Sequence, residues 1–509
     1  MPEDTAQWEE KMSDSESSSR KNLAKGGAIG FVGAAVSAIL GFFFTVVLAR
    51  MLGAEGSGVV TQATGVFAVV MALAKVGLDS TAIYLLPRLR VDSAEEIRGC
   101  LNFMAAMAVG VSLVAVLVLQ ALAPVIWQGA DSQVRGAIQA VLWFVPIGSL
   151  TLVATAALRA LGNMRQYVLV QNITLPGLRP ILVAATATVG GSLSLVAVSW
   201  ALPFVVILVA AWVLVLRHLP DIVAAPRWPQ ASRRHQIVGF ALPRTLTAGL
   251  EQALTWLDVL LVGLLAGNAA AGIYGGAARF IQAGLIVDTA LRVVVSPQFS
   301  RLLHMSKIEE LRRLYSTATI WLILFATPIH ILMAIYAPAL MKILGDQFVS
   351  GSWVLAILCC GAMVTFLAGN IHSLLIMSGR SGWAAINKVV VLTVNVVGNL
   401  AFIPLYGLNA AAVVWAVCMV LDAVMATIQV AKFIGVRPSA GETLIPLIGV
   451  FVSVGIPAFG VSMLLGRGTY SGLIWGIFAS IAGFATMCWI LRSALQLNGL
   501  GSLVRQKRG

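Results

Sequence analysis

The chain has 509 residues, 59% of them hydrophobic and 11% charged, with a mean hydropathy of +0.92 and a formal net charge of +13. Soluble proteins of this size carry roughly 25% charged residues, so the composition excludes a soluble globular enzyme and points to a polytopic membrane protein. The positive charge lies mostly in connections between apolar runs, where it reports topology and implies no nucleic-acid partner.

Residues 1–25, MPEDTAQWEEKMSDSESSSRKNLAK, are polar, acidic and Ser-rich before turning basic, and predict a disordered tail. A helical span needs about 20 apolar residues. Fourteen segments qualify in chain order: 26–49, 58–86, 99–127, 135–158, 167–190, 193–216, 237–266, 269–297, 314–343, 351–377, 383–404, 408–433, 442–466 and 470–492. The first is too long for a signal-peptide core and lacks a small-residue cleavage site, so it reads as a retained span. Between the sixth and seventh lies RHLPDIVAAPRWPQASRRHQ (217–236), a basic, proline-containing linker expected on the cytoplasmic interface. The last two spans, within 434–496, are followed by a basic tail, 497–509.

Lys and Arg concentrate in alternate connections along the whole chain, which places both termini in the cytoplasm. No connection is long enough for a soluble catalytic domain. The chain has no GxxxxGK[ST] phosphate loop. The expectation is a transporter, not an enzyme, with no cofactor and with energy from an ion gradient, a membrane potential or the substrate gradient. Cys100, Cys359, Cys360, Cys418 and Cys488 lie in or beside apolar runs without metal-ligand spacing and read as small buried hydrophobes.

The chain repeats itself. Gly53 and Gly58 in LARMLGAEGSGVV align with Gly267 and Gly272 in VGLLAGNAAAGIY, and Ala123-Pro124 aligns with Ala337-Pro338. Gly162 and Trp200 align with Gly379 and Trp415 at nearly the same offset. The repeating unit is six spans, an even number, so both copies share one orientation. The fold class is therefore an all-α polytopic membrane protein of fourteen transmembrane helices. Two six-helix lobes, 26–216 and 237–433, form a parallel pseudo-repeat around a central cavity, with two C-terminal helices outside it.

Lys75, Arg179, Arg244, Arg279 and Arg292 are read as lying inside spans, whereas Arg135, Lys342, Lys388, Lys432 and Arg492, near span ends, are counted with the connections. Asp79, Glu251, Asp258, Asp288 and Asp422 lie beside them. A charge at the bilayer centre costs at least about 2.5–3.5 kcal/mol, so each must face protein or water. Arg244, Glu251 and Asp258 are spaced by seven and share one helix face to within about 20° per step. Such a row either pairs with neighbouring helices or lines a polar cavity. Lys75 with Asp79, and Asp288 with Arg292, are i,i+4 pairs that can neutralise themselves. Arg179 sits among Pro176, Gly177 and Pro180, where a kink is expected. Asn395 and Asn399 share one helix face. Asp422, His330 and His372 are isolated in sequence and read as structural. Several Arg in one cavity would suit a phosphate-bearing headgroup, because guanidinium grips phosphate oxygens bidentately.

Three stretches carry a family resemblance. FFFTVVLARMLGAEGSGVV with GLDSTAIYLLPRL resembles the opening of O-antigen-type polysaccharide flippases. LTWLDVLLVGLLAGNAAAGIYGGAARFIQAG resembles spans seven and eight of these proteins and of lipid II flippases. VNVVGNLAFIPLYGLNAAAVVWAV resembles their spans eleven and twelve. Over roughly 26–433 the chain is similar to the multidrug/oligosaccharidyl-lipid/polysaccharide exporter superfamily. The resemblance implies alternating access in the bacterial cytoplasmic membrane, with a polyprenyl-diphosphate-linked glycan as substrate, for cell-surface polysaccharide synthesis. It also implies membrane lipids and polysaccharide polymerase machinery as partners. Asp258, Asn395 and Asn399 match positions of a sodium site, although span eleven carries an amide where the family site has a second carboxylate. Arg279 matches a cationic cavity position. The substrate-binding set is then Arg179, Arg244, Arg279, Lys75 and Arg292, and the coupling or gating set is Glu251, Asp258, Asp79 and Asp288, with sodium or protons as coupling ion. Glu251 is expected to face Arg179 or Arg279. The alternative is a cation-coupled multidrug exporter of the same superfamily.

Overall fold

A computed structural model of the chain describes residues 2–219, 226–437 and 440–490, and the regular structure of the described residues is all helical, with no strand among them. Eleven helices are long and apolar enough to cross a membrane, or up to thirteen if each of two bent pairs counts as one span. The sequence count of fourteen differs because Ile29–Ala74 is a single 46-residue candidate covering the first predicted span and most of the second. Its one non-helical residue is Gly53, at φ 67° and ψ −171°.

The breaks have local causes. Ser132–Leu142 and Val145–Leu161 meet at 46°, with Pro146 opening the second helix, where its missing N–H and fixed φ are tolerated. The chain turns at Val76 and Gly77, both with positive φ. A side chain at Gly77 would come 2.6 Å from the Ala241 carbonyl, so only glycine admits this turn. Pro176 and Pro457 each open a helix directly after a wide π-helical turn, at Val168–Thr174 and Phe451–Gly455. The kink expected near Arg179 takes this form. Residues 2–25, read from sequence as disordered, continue the first helix in the structure. Their Glu, Lys, Gln and Ala are good helix formers, and extension from an existing helix needs no new nucleus. The 497–509 tail lies outside the described residues.

The chain divides into two compact units. Unit one comprises Met1–Phe44 and Phe67–Gly249; unit two comprises Thr45–Val66 and Leu250–Gly509. These are not the lobes drawn from sequence at 26–216 and 237–433, and contacts within each unit explain the difference. Linker residues 226–236 belong to unit one: Asn102 Nδ2 donates to the Arg227 carbonyl at 3.0 Å, Phe103 meets Trp228 edge to face, and Arg233 pairs with Glu96 at 2.6 Å. Residues 45–66 belong to unit two. Arg50 donates to the carbonyls of Ile343 and Lys342, and the Ala54 N–H donates to Gln347 at 3.0 Å.

Unit one is cored by Leu78, Leu85, Leu86 and Leu89 against Ile97, Leu101 and Met104, with Val153, Leu158 and Leu161 completing the cluster. Unit two packs Ile320, Leu324 and Ile331 against Phe366 and Val454. There the buried Tyr336 hydroxyl donates to the Ala458 carbonyl at 2.8 Å, tying the penultimate span to the rest.

The repeat is visible in backbone conformation at Gly53 and Gly267, both with positive φ (67° and 91°). It is not visible at Gly162 and Gly379, of which only Gly379 has positive φ. Inside unit two the aligned glycines touch. A Cβ at Gly58 would overlap the Asn268 carbonyl and lie 2.9 Å from the Gly272 nitrogen. A Cβ at Gly272 would overlap the Ala54 carbonyl and lie 2.9 Å from the Gly58 nitrogen.

Candidate functional site

The helix Ser381–Tyr406 buries Asn387, Val391, Asn395, Asn399 and Ile403, a stripe with a repeat of four. Three of the five are amides, so the helix presents a polar edge that neighbouring helices must satisfy. On the helix Ala231–Ala266, Asp258 is buried and accepts from Asn395 Nδ2 at 2.8 Å and Asn399 Nδ2 at 2.9 Å. Asn399 also donates to Asn395 at 3.1 Å. The buried Tyr274 lines the same cavity as this carboxylate. At the other end of the stripe, Asn387 and Gln429 exchange two hydrogen bonds, at 2.9 and 2.7 Å.

Asp258 lines a cavity of about 540 Å³ in unit two, together with Glu251, Tyr274, Gln282, Arg292, Lys388 and Trp415. A second cavity of about 120 Å³ shares Arg292 and is lined by Asp288, Asn370, His372 and Asp422. Here Asp288 pairs with Arg292 and accepts from Asn370 at 2.9 Å. Asp422 is 4% exposed; its Oδ2 takes Lys388 Nζ at 2.5 Å and stands 3.6 Å from His372 Nε2.

The predicted residues therefore divide. Asp258, Asn395 and Asn399 meet as expected, and Glu251, Asp258 and Arg292 share one cavity wall. Asp288 lines the smaller cavity. Arg279 bonds Gln282 at 2.9 Å, with its guanidinium 5.3 Å from the Trp256 ring. Lys75, Asp79, Arg179 and Arg244 belong to unit one. Lys75 and Asp79 pair at 2.6 Å. Arg179 stands over Trp200 at 4.2 Å and Phe204 at 5.3 Å. Arg244 is exposed and 5.8 Å from the Phe240 ring.

Among the described residues no ion pair joins Glu251 to Arg279. Arg244, Glu251 and Asp258 lie on one continuous helix, Ala231–Ala266, of which Glu251 and Asp258 line the cavity of unit two and Arg244 belongs to unit one. Sequence reasoning also missed a cluster: Asp422 and His372 are neighbours, and Lys388, counted as a loop cation, is their partner. The available signal was a lone carboxylate in an apolar run, which demands a counter-charge.

Among the described residues no three His, Cys, Asp or Glu side chains gather to hold a metal. The Asp258 set offers one carboxylate and two amides. Its amide N–H groups satisfy the carboxylate without an ion, yet Asn399 Oδ1 is buried with no hydrogen-bond partner. An orphaned oxygen beside a buried carboxylate fits a small hard cation, which binds oxygen ligands.

Comparison with known proteins agrees with this architecture. The family described as polysaccharide biosynthesis protein matches residues 23–303. Two Haloferax volcanii proteins are similar: the probable low-salt glycan biosynthesis flippase Agl15, 21% identical over 49% of this chain and 53% of its own length, and the probable flippase AglR, 23% identical over 47% and 50%. The chain thus spans about half the length of the curated relatives it matches. Among solved structures, lipid II flippase MurJ in an inward closed conformation matches with TM-score 0.68 at 14% identity, covering 91% of this chain and 99% of that one. An inward-facing MATE-family multidrug resistance transporter matches with TM-score 0.64 at 15% identity, covering 79% and 94%. These likenesses establish the fold, and the family match over more than half the chain establishes membership: this multi-pass membrane protein belongs to the polysaccharide biosynthesis protein family.

Proposed function

We propose that the protein is a flippase that moves a polyprenyl-diphosphate-linked oligosaccharide, or a similar anionic glycolipid, across the cytoplasmic membrane by alternating access. The observation that carries this reading is the cavity of about 540 Å³, where Arg292 and Lys388 stand beside polar groups inside a helical membrane protein. A diphosphate headgroup brings concentrated negative charge into a poorly screened space and needs such cations. The lipid tail can stay in the bilayer while the headgroup crosses. The names of the Haloferax relatives and the MurJ-like fold support the same class of activity. In this reading the chain has fourteen spans, with Gly53 separating the first two, and both termini are cytoplasmic.

The test is flipping of a fluorescent polyprenyl-diphosphate oligosaccharide in proteoliposomes. Arg292→Ala and Arg279→Ala each lower transport at least tenfold while insertion persists, and Lys at either position restores part of it. Undiminished binding and transport by both Ala variants rejects the reading. Glu251 lines the same wall and acts as the carboxylate that competes with the headgroup, so Glu251→Gln binds substrate at least as tightly but turns over more slowly. Asp258, Asn395 and Asn399 would hold sodium as coupling ion. Asp258→Asn then abolishes any sodium-dependent gain in thermal stability, and equal stability with and without sodium in the wild type removes sodium from the scheme. The likeness to a multidrug transporter, with Glu251 and Asp258 in one cavity, favours cation export as the second reading. Transport of cationic dyes in preference to the diphosphate lipid would select it.

A further inference from the structure

Lys388 belongs to two sites at once. It lines the larger cavity beside Arg292, and its ammonium bonds Asp422, which lines the smaller one. The two partners differ in freedom: the Lys388 side chain is 42% exposed and the Asp422 side chain 6%. Lysine is a flexible point charge that can swing toward a new anion. Asp422 cannot follow it, and a buried carboxylate without a counter-charge is costly. Its Oδ1 is already buried with no hydrogen-bond partner. The next group in reach is the His372 ring, with Nε2 at 3.6 Å.

We infer that Lys388, Asp422 and His372 form a partner-exchange relay, in which an anionic headgroup takes Lys388 from Asp422 and His372 takes up a proton to replace it. Charge balances at each stage. At rest Lys388 (+1) and Asp422 (−1) cancel and His372 is neutral. After exchange Lys388 neutralises one phosphate charge, and one proton from water has bound the imidazole, so the imidazolium neutralises Asp422. The other charged groups near His372 are Asp288 and Arg292 from the helix Ile286–His304, and they are already paired with each other. No bond other than the imidazole N–H forms. The relay makes this a site where anion binding and proton uptake are one event, and it uses residues separate from the Asp258 set. It rests on the reading that the substrate headgroup is anionic.

Inorganic diphosphate is the probe, with the full-length protein in detergent. Calorimetry in two buffers of different ionisation enthalpy counts protons taken up, and nitrogen-15 NMR of the histidine rings reports protonation. The chain has only five His, so His372→Asn identifies the signal. In the wild type diphosphate converts His372 from the neutral to the imidazolium pattern with uptake near one proton, and affinity falls by up to about tenfold per pH unit where free His372 is neutral. Lys388→Gln shows the imidazolium pattern without any anion, and uptake on binding disappears. Asp422→Asn keeps His372 neutral throughout. If diphosphate binds the wild type while His372 stays neutral both there and in Lys388→Gln, the relay is overturned and the flippase reading survives. Uptake that persists in His372→Asn belongs to diphosphate itself and also overturns the relay. Absence of diphosphate binding strikes down the anionic-headgroup reading, and the coupling with it.

Discussion

In unit one Lys75 is closed by Asp79, four residues further along, and Arg179 rests on the rings of Trp200 and Phe204. In unit two Asp258 and Asp422 draw their partners from other helices: Asn395, Asn399 and Lys388 on Ser381–Tyr406, and His372 on Ile371–Met377. A pair within one stretch of chain survives any movement of the surrounding helices. A pair across helices records their register and changes when they shift. Unit one has such a pair too, Arg233 with Glu96, and unit two has a local one, Asp288 with Arg292, but only in unit two do pairs shared between helices line the two cavities described above, so it is there that chemistry and conformation can be linked.

This contrast can be broken by stability measurements. The largest effect is expected for Asn399→Leu, which strips a donor from the buried Asp258 carboxylate and costs about 1–3 kcal/mol, read as a lower Tm in detergent. Arg179→Met keeps an apolar stem against Trp200 but removes the cation, at about 0.5–2 kcal/mol. Lys75→Gln should be smallest, about 0–1 kcal/mol, because both partners are partly exposed and screened by salt. A larger loss for Lys75→Gln than for Asn399→Leu would invert the comparison. Double mutants sharpen it further. Lys75→Gln with Arg179→Met should add, whereas Lys388→Gln with Asp422→Asn should depart from additivity by about 0.5–3 kcal/mol.

The features readable in sequence were those with a local period. Apolar runs located the helices; Asp288 and Arg292, like Lys75 and Asp79, announced their pairing by a spacing of four. Asn395 and Asn399 showed a shared face the same way. The Lys388, Asp422 and His372 cluster had no such mark, since no periodicity along one helix encodes its register against another. Lys388 was further disguised by its place near the start of a span, where basic residues ordinarily report topology. The division into units was hidden for a related reason: Arg50, Ala54 and Gly58 choose their unit through backbone carbonyls and close approach, to which side-chain patterns are blind.

The glycine seam of unit two carries a consequence for substitution. Gly58 receives Asn268 and Gly272 receives Ala54, and both relations are the same step of four residues read in opposite directions. That is the pattern of an isologous contact, the kind a two-fold homodimer makes with itself. A side chain added at either glycine meets the backbone of the segment that carries the other, so neither position can gain a Cβ unless its counterpart's backbone withdraws.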